Sequence, residues 1–425
     1  MVKKIVLQNG LTVVTQRLKG YKSVSVGVWV KAGSSFESQS DNGMAHFIEH
    51  MVFKGTRNRS AAQIAIEIDA VGGEMNAFTA KECTCFYTKT LSGDLDLALD
   101  LLSDMMLNPT FDPDHIELEK TVIQDEINMY EDASEEIAND LIHEVLYGDH
   151  PLSLPVLGTK ESVSKFNQVS VFDFFNRFYR ANNMVLSIAG DFDPEQIESQ
   201  VTKYFERIPE KLDLSLKTIP SPTQNWTYGF KQKDFEQVQV VIAFPGIPFD
   251  HKMSYNMSLL NQFLGGSNSS MLFQEVRENL GLTYSIFSEP TFYDEIGMLE
   301  ISFGVSKEKM SETLSAIISV ILELKSRIFT DQEIEHGKNH LKGSFVLGME
   351  GSDQYMDFIG RIELFAHKEK NMDEMLAKIE ETSLIGMKKL IEHCFSTGNF
   401  AMAFVGDVTE SEVKTYYNKM KTALD

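Results

Sequence analysis

His46 and His50 stand four residues apart, with Glu49 just before the second. On an α-helix, positions i and i+4 share a face, so both imidazoles can reach one point. Two imidazoles so placed suit Zn²⁺, and a neighbouring carboxylate can act as base toward water that the metal polarises. The order inverts the H-E-x-x-H arrangement. Asp41-Asn42-Gly43 offers capping residues, and Met44, Phe47, Ile48, Met51 and Val52 supply the apolar positions of a helix. Taken alone, the same residues also fit polar side chains at the edge of a core.

The elements around this motif can be read in order. Ile5–Leu7 and Leu11–Val14 flank Asn9-Gly10, a hairpin signal. Val24, Val26, Val28 and Val30 alternate with Ser25, Gly27, Trp29 and Lys31, which predicts a strand. A helix from about 60 to 71 should end at Gly72-Gly73, and residues 74–79 and 83–91 read as extended. Leu95, Leu99, Leu102 and Met106 mark a helix that Pro109 ends. A long helix beginning at Asp112 or Asp114 carries Glu119 and Glu126. Seven residues is nearly two turns, so these carboxylates share a face; by themselves they read as a solvated pair. Leu186 to Ala189 form a strand before Gly190-Asp191, and a further helix runs from about 194 to 205.

The chain has 425 residues, 43% hydrophobic and 24% charged, as in a soluble globular protein with more than one domain. A net charge of −23 argues against a nucleic-acid partner. Cys83, Cys85 and Cys394 make no disulfide framework and fit a reducing compartment. Cys83 and Cys85, two apart in a strand, point to one face. The N-terminus lacks the pattern of a secretion signal and no apolar run approaches a membrane span. A cytoplasmic protein without membrane attachment is expected.

Residues 209–227 hold Pro209, Pro220 and Pro222 among polar residues and read as a linker. Beyond it the pattern restarts. The strand ending at Gly190-Asp191 has a counterpart ending at Gly406-Asp407, offset by 216, and Phe111 with Ile116-Glu117 resembles Phe329 with Ile334-Glu335, offset by 218. Met310, Leu314, Ile317, Ile321 and Leu324 mark a matching amphipathic helix. The expected class is α+β. It consists of two homologous αβ domains, 1–208 and 228–425, each a mostly antiparallel sheet packed with helices. At these offsets His46, Glu49 and His50 meet Gln262, Gly265 and Gly266, and Glu126 meets Ser344. The second copy keeps the scaffold and lacks the chemical groups, which favours chemistry over folding as the reason for the histidines.

Four stretches together carry a family resemblance: Gly43 to Thr56, Gly72 to Thr79, Glu119-Lys120-Thr121-Val122-Ile123 leading to Glu126, and Gly148-Asp149-His150-Pro151-Leu152. With them the chain resembles the pitrilysin, insulin-degrading enzyme and mitochondrial processing peptidase group, in particular its bacterial processing-protease branch. The resemblance implies that His46, His50 and Glu126 hold Zn²⁺, that Glu49 is the catalytic base and that Glu119 supports the site. It also implies that Asn76, Ala77 and Phe78 lie on an edge strand that takes the substrate as an added strand. Arg277 and Tyr284 resemble the substrate-anchoring pair, the Tyr284 phenol donating to the developing oxyanion. Two features depart from the family: Ser269-Ser270 is followed by Met271 rather than arginine, and the glycine-rich segment is reduced to Gly265-Gly266.

The implied function is a zinc metalloendopeptidase acting on peptides or flexible segments. The alternatives are a non-catalytic or accessory subunit of a processing-peptidase-like complex and a non-proteolytic zinc hydrolase. Larger family members join four such domains around a chamber. Two chains of this length would do the same as a homodimer, or with a related chain, Arg277 and Tyr284 of one chain completing the zinc site of the other.

Overall fold

The computed structural model describes residues 2–210, 221–368, 371–395 and 398–425. Of the expected linker, 211–220 lie outside the described residues. In chain order the first part gives β1 (Val2–Val6), β2 (Thr12–Arg17), β3 (Ser23–Val30), α1 (Met44–Val52), α2 (Ala61–Ala70), β4 (Glu74–Thr79), β5 (Thr84–Leu91), α3 (Leu95–Leu107), α4 (Pro113–Glu131), α5 (Ser134–Tyr147), α6 (Lys160–Ser164), α7 (Gln168–Phe178), β6 (Met184–Gly190) and α8 (Ile197–Phe205). The second part gives β7 (Tyr228–Gln232), β8 (Val238–Pro245), α9 (Ser254–Leu264), β9 (Ile286–Phe292), β10 (Gly297–Val305), α10 (Met310–Ser326), α11 (Asp331–Leu347), α12 (Ser352–Ala366), α13 (Met372–Glu380), α14 (Leu384–Phe395), β11 (Ala401–Gly406) and α15 (Glu410–Leu424). Among the described residues no helix is long and apolar enough to cross a membrane.

The strands form two sheets, ordered β1-β2-β6-β3-β5-β4 and β7-β11-β8-β10-β9. Apart from the extra hairpin strand β1, the two orders correspond strand for strand. The one parallel pair of each, β2 with β6 and β7 with β11, falls at the same place. The remaining pairs are antiparallel. The architecture is therefore α+β, with two homologous αβ domains. In the second, α9 stands where α1 stands in the first; it carries buried Gln262, and Gly265 and Gly266 follow its end.

The compact units are not contiguous in sequence. One gathers Met1–Ile127, Leu154–Pro220 and Val346–Met372; the other gathers Asn128–Ser153, Ser221–Phe345 and Asp373–Asp425. Two helices have changed places: α12 packs on β2, β3 and β6, while α5 packs on β8 and β11.

In the first unit, Val24, Val26, Val28 and Val30 join Phe47, Ile48, Leu99, Leu102 and Phe174 in one core. Trp29, Cys83, Cys85 and Val185 form a second layer with Met356, Ile359 and Leu364 of α12. β3 alternates in polarity yet is buried on both sides because α12 covers its second face. Two polar pairs meet within the layer. Ser25 Oγ lies 2.8 Å from Ser352 Oγ, and Trp29 Nε1 donates to Ser187 Oγ at 2.9 Å. A Cβ at Gly27 would come 2.2 Å from Met356 Sδ, which explains the missing side chain. In the second unit, Val240, Ile242, Phe244, Leu299 and Ile301 face α9, α10 and α14, and Val241, Ala243, Met298 and Ala403 face α5.

Of the expected capping residues, Gly43 stands at the N-cap of α1, with no side chain to bond the free amides. Asp41 and Asn42 do not cap it. Buried Glu37 does, accepting from Gly43 N at 2.7 Å, Ala45 N at 2.8 Å and Asn42 Nδ2 at 2.9 Å. Its oxygens satisfy orphan amides of the first turn, although burial, against the pull of these hydrogen bonds, pushes the carboxyl up to about 8. Gly43 adopts φ +90°, and a Cβ on it would meet Leu157 O at 2.7 Å, so the turn entering the helix requires glycine.

Glu37→Ala strands these donors in a dry site and should lower stability by about 2 kcal/mol, read as an earlier urea midpoint with an unchanged slope. A pH effect is expected in the second unit. Glu300 faces Glu289 across β10 and β9, its Oε1 is buried without a hydrogen-bond partner, and burial followed by repulsion from Glu289 pushes its carboxyl up to about 7. Against an ordinary value of 4.5, its contribution to stability is complete below that pH and is lost as pH rises through about 7. Glu300→Gln should therefore raise the melting temperature at pH 8, with the gain shrinking toward pH 5.

Candidate metal centre

α1 and α4 bring the sequence-predicted chemistry together. His46 Nε2 and His50 Nε2 lie 3.8 Å and 3.7 Å from Glu126 Oε2, and the donor atoms of the trio are all within 4.8 Å of one another. The imidazoles meet edge to face with centroids 4.5 Å apart. The anchoring is apolar: Phe47, Ile48, Met51 and Val52 hold α1 in the core, and Ile116, Ile123 and Ile127 hold α4.

The supporting contacts fix protonation as well as position. His50 Nδ1 is 2.8 Å from Glu119 Oε1, and a carboxylate can only accept, so Nδ1 carries the proton and Nε2 turns its lone pair toward Glu126. Lys54 Nζ lies 2.6 Å from Glu119 Oε2. Burial alone would raise the pKa of Glu119, but the hydrogen bonds from His50 and Lys54 carry it below the usual carboxylate range. Burial first, and then His50, push His46 down to about 3, so its ring is neutral at ordinary pH.

This donor set fits a divalent cation. Two imidazole nitrogens and a carboxylate oxygen converge on one point. Tetrahedral Zn²⁺ with ligands at ~2.0–2.2 Å separates them by roughly 3.4 Å, close to the observed spacing. Three protein donors leave a further coordination position, as hydrolytic zinc sites require.

Glu49 lies on the same helix, and Thr79 Oγ1 donates to its Oε2 at 2.6 Å. Burial raises the pKa of Glu49 against the pull of that hydrogen bond. Thr79 ends β4, which is an edge strand of its sheet. The residues of β4 divide between two faces. Met75 and Ala77 pack toward the core that contains α1, whereas Phe78 packs on Trp29 at 5.7 Å and under the Arg361 guanidinium at 5.3 Å. Asn76 Oδ1 accepts from the Ala77 N–H at 2.9 Å. Arg277 and Tyr284 belong to the second unit, where the guanidinium lies 5.1 Å from the Tyr284 ring and 4.5 Å from that of Phe273.

Sequence reasoning gave no role to Glu37 or Lys54, and it placed Thr79 on the edge strand with Asn76, Ala77 and Phe78 without its link to Glu49. Lys54 is four residues after His50, a spacing that carries it toward the same side of the helix end. Thr79 is two residues after Ala77, on the face turned to α1. No spacing signals Glu37.

Comparison with known proteins matches residues 12–160 to the model described as Insulinase (Peptidase family M16) and residues 165–341 to the Peptidase M16 inactive domain. The described metal trio falls in the first of these segments. A Bacillus subtilis relative named an uncharacterized zinc protease, YmxG, is 36% identical over 406 residues, covering 95% of this chain and 98% of that one. A Mycobacterium leprae relative, the uncharacterized zinc protease ML0855, is 36% identical over 394 residues, covering 90% and 87%. Two crystal structures share the fold. A protease from Helicobacter pylori has a TM-score of 0.87 at 20% identity, covering 96% of this chain and 99% of that one. A peptidase M16 inactive domain from Pseudomonas fluorescens has a TM-score of 0.88 at 21% identity, covering 96% and 98%. With both family models in register and a relative alike from end to end, the chain belongs to the insulinase family, peptidase family M16.

Proposed function

We propose that the protein is a zinc metalloendopeptidase that cuts peptides or flexible protein segments. The observation that carries this is the convergence of His46, His50 and Glu126 on one point with Glu49 beside it. The zinc-protease names of the relatives support it. Zn²⁺ held by the trio would supply a Lewis acid that acidifies water and offsets negative charge developing on a carbonyl oxygen. Glu49 takes a proton from the attacking water as its oxygen bonds to the carbonyl carbon, and returns a proton to the nitrogen as the C–N bond breaks. A carboxylate with a raised pKa is the better base for this. Glu119 holds the His50 tautomer, and Lys54 keeps Glu119 charged.

β4 offers the seat for substrate. Its position at the sheet edge supports pairing of Asn76, Ala77 and Phe78 with an extended peptide, which reads backbone more than side chain. We also read 1–208 and 228–425 as the two ancestral repeats, joined through 209–227. Arg277 and Tyr284, with Tyr284 81% exposed in this chain, are assigned to substrate anchoring at the zinc site of a second chain in a homodimer.

Glu49→Gln should keep stoichiometric zinc and lose at least about 1000-fold in turnover of a quenched peptide, and a chelator should abolish wild-type cleavage until zinc is restored. Undiminished turnover in Glu49→Gln removes the base. Zinc retention without cleavage of any peptide points instead to an accessory subunit. Mixing Glu49→Gln with Arg277→Ala chains should restore activity above either parent; no gain on mixing removes the shared site.

A further inference from the structure

Among the described residues, the carboxylate of Glu49 accepts a single hydrogen bond, from the Thr79 hydroxyl at 2.6 Å. We propose that Thr79 is the positioning residue of the base, tying Glu49 to the edge strand on which substrate is seated. This rests on the peptidase reading above and adds a residue to it.

The geometry leaves the Thr79 proton one destination. Its nearest alternative partner is Thr84 Oγ1 at 3.4 Å, directly opposite in the β4–β5 register. The Thr84 hydroxyl already donates to Ala32 O at 2.8 Å. Thr79 is β-branched, so its χ1 is stiff and its hydroxyl direction follows the strand backbone. Glu49 is different: an unbranched side chain with three torsions, able to sweep its carboxylate by more than an ångström. One strong hydrogen bond at Oε2 removes that freedom and leaves Oε1 for a water proton. Displacement of a reacting group by about 1 Å can cost ~100-fold in rate.

The consequence is a fixed distance between two functions. A peptide added to β4 takes its register from the strand backbone. The base takes its orientation from the last residue of the same strand. Both therefore move with one rigid element, itself paired over its length with β5.

A purely structural role would be to satisfy a half-buried carboxylate, and the test separates the two. Thr79→Val, Thr79→Ser and Glu49→Gln are prepared as full-length zinc-loaded protein. kcat and KM for a quenched peptide, zinc content and melting temperature are measured for each. Binding of the same peptide is measured in Glu49→Gln with and without Thr79→Val. Thr79→Val should lower kcat about 10- to 100-fold with KM within about twofold, zinc stoichiometry intact and peptide affinity unchanged. Thr79→Ser, which restores the hydroxyl, should return kcat to within about threefold of wild type. Should Thr79→Val fold poorly, Thr79→Ala is compared with Thr79→Ser below the melting range of both. Wild-type kcat in Thr79→Val overturns the inference. So does a loss confined to KM, or a Thr79→Ser variant as impaired as Thr79→Val. An active Glu49→Gln would remove the base reading itself; an inactive Glu49→Gln beside a fully active Thr79→Val removes only the role given to Thr79.

Discussion

Three side-chain groups converge in the first unit: the Nε2 atoms of His46 and His50 each lie within 4 Å of Glu126 Oε2, and the trio spans no more than 4.8 Å. Side-chain packing alone does not favour this, since converging lone pairs repel; His46 is buried, and His50 and Glu126 are half-buried. The surroundings nonetheless enforce it. Burial keeps His46 neutral, Glu119 holds the proton of His50 on the far nitrogen, and Lys54 keeps Glu119 ionised. The supporting contacts thus favour an electron-rich point, the kind of donor set that suits a cation. Glu37 and Gly43 set the start of α1, and the isoleucines of α4 set the depth of Glu119 and Glu126.

The duplicated architecture shows how separable this is from folding. The second sheet repeats the strand order of the first, and α9 occupies the station of α1, so the hydrophobic core survives without the donors. Gln262, Gly265 and Gly266 are compatible with the same packing. The second core therefore packs without histidines or a glutamate at these stations. The exchange of α5 and α12 between sheets adds a second buried layer to each, so β3 and β8 are covered on both faces.

Much of this was legible in the residues. The β1–β2 hairpin at Asn9-Gly10, the helices at α1 to α4 and the Glu119–Glu126 face follow from local period and turn chemistry. The repeat exposed the second domain, and the convergence of α1 with α4 followed from the family resemblance. What escaped were long-range partners. β3 reads as a strand, but nothing in its own pattern reveals that a helix from residues 352–366 will cover its second face. Glu37 caps a helix from beyond its own turn, so a local rule chose Asp41 and Asn42 instead. Thr79 looks like one more strand residue until the strand is laid against α1. Local chemistry is encoded locally; the contacts between elements are set by topology, which residue spacing does not carry.

The edge position of β4 joins these levels. A free strand edge is ordinarily a liability, because its amides template unwanted pairing. Here Asn76 occupies the Ala77 N–H with its own side chain, and Phe78 pins the strand against Trp29 and Arg361 on the face away from α1. The opposite face presents Ala77 and Thr79 toward the base. One strand thus has a rigid back, a chemically active front and an edge screened by a side chain that rotation can withdraw. In the proposed reading, this division explains how a site can accept many sequences yet place each scissile bond consistently. Selectivity is left to the extended backbone, while the geometry of catalysis is fixed by a strand that side-chain variation in the substrate does not deform.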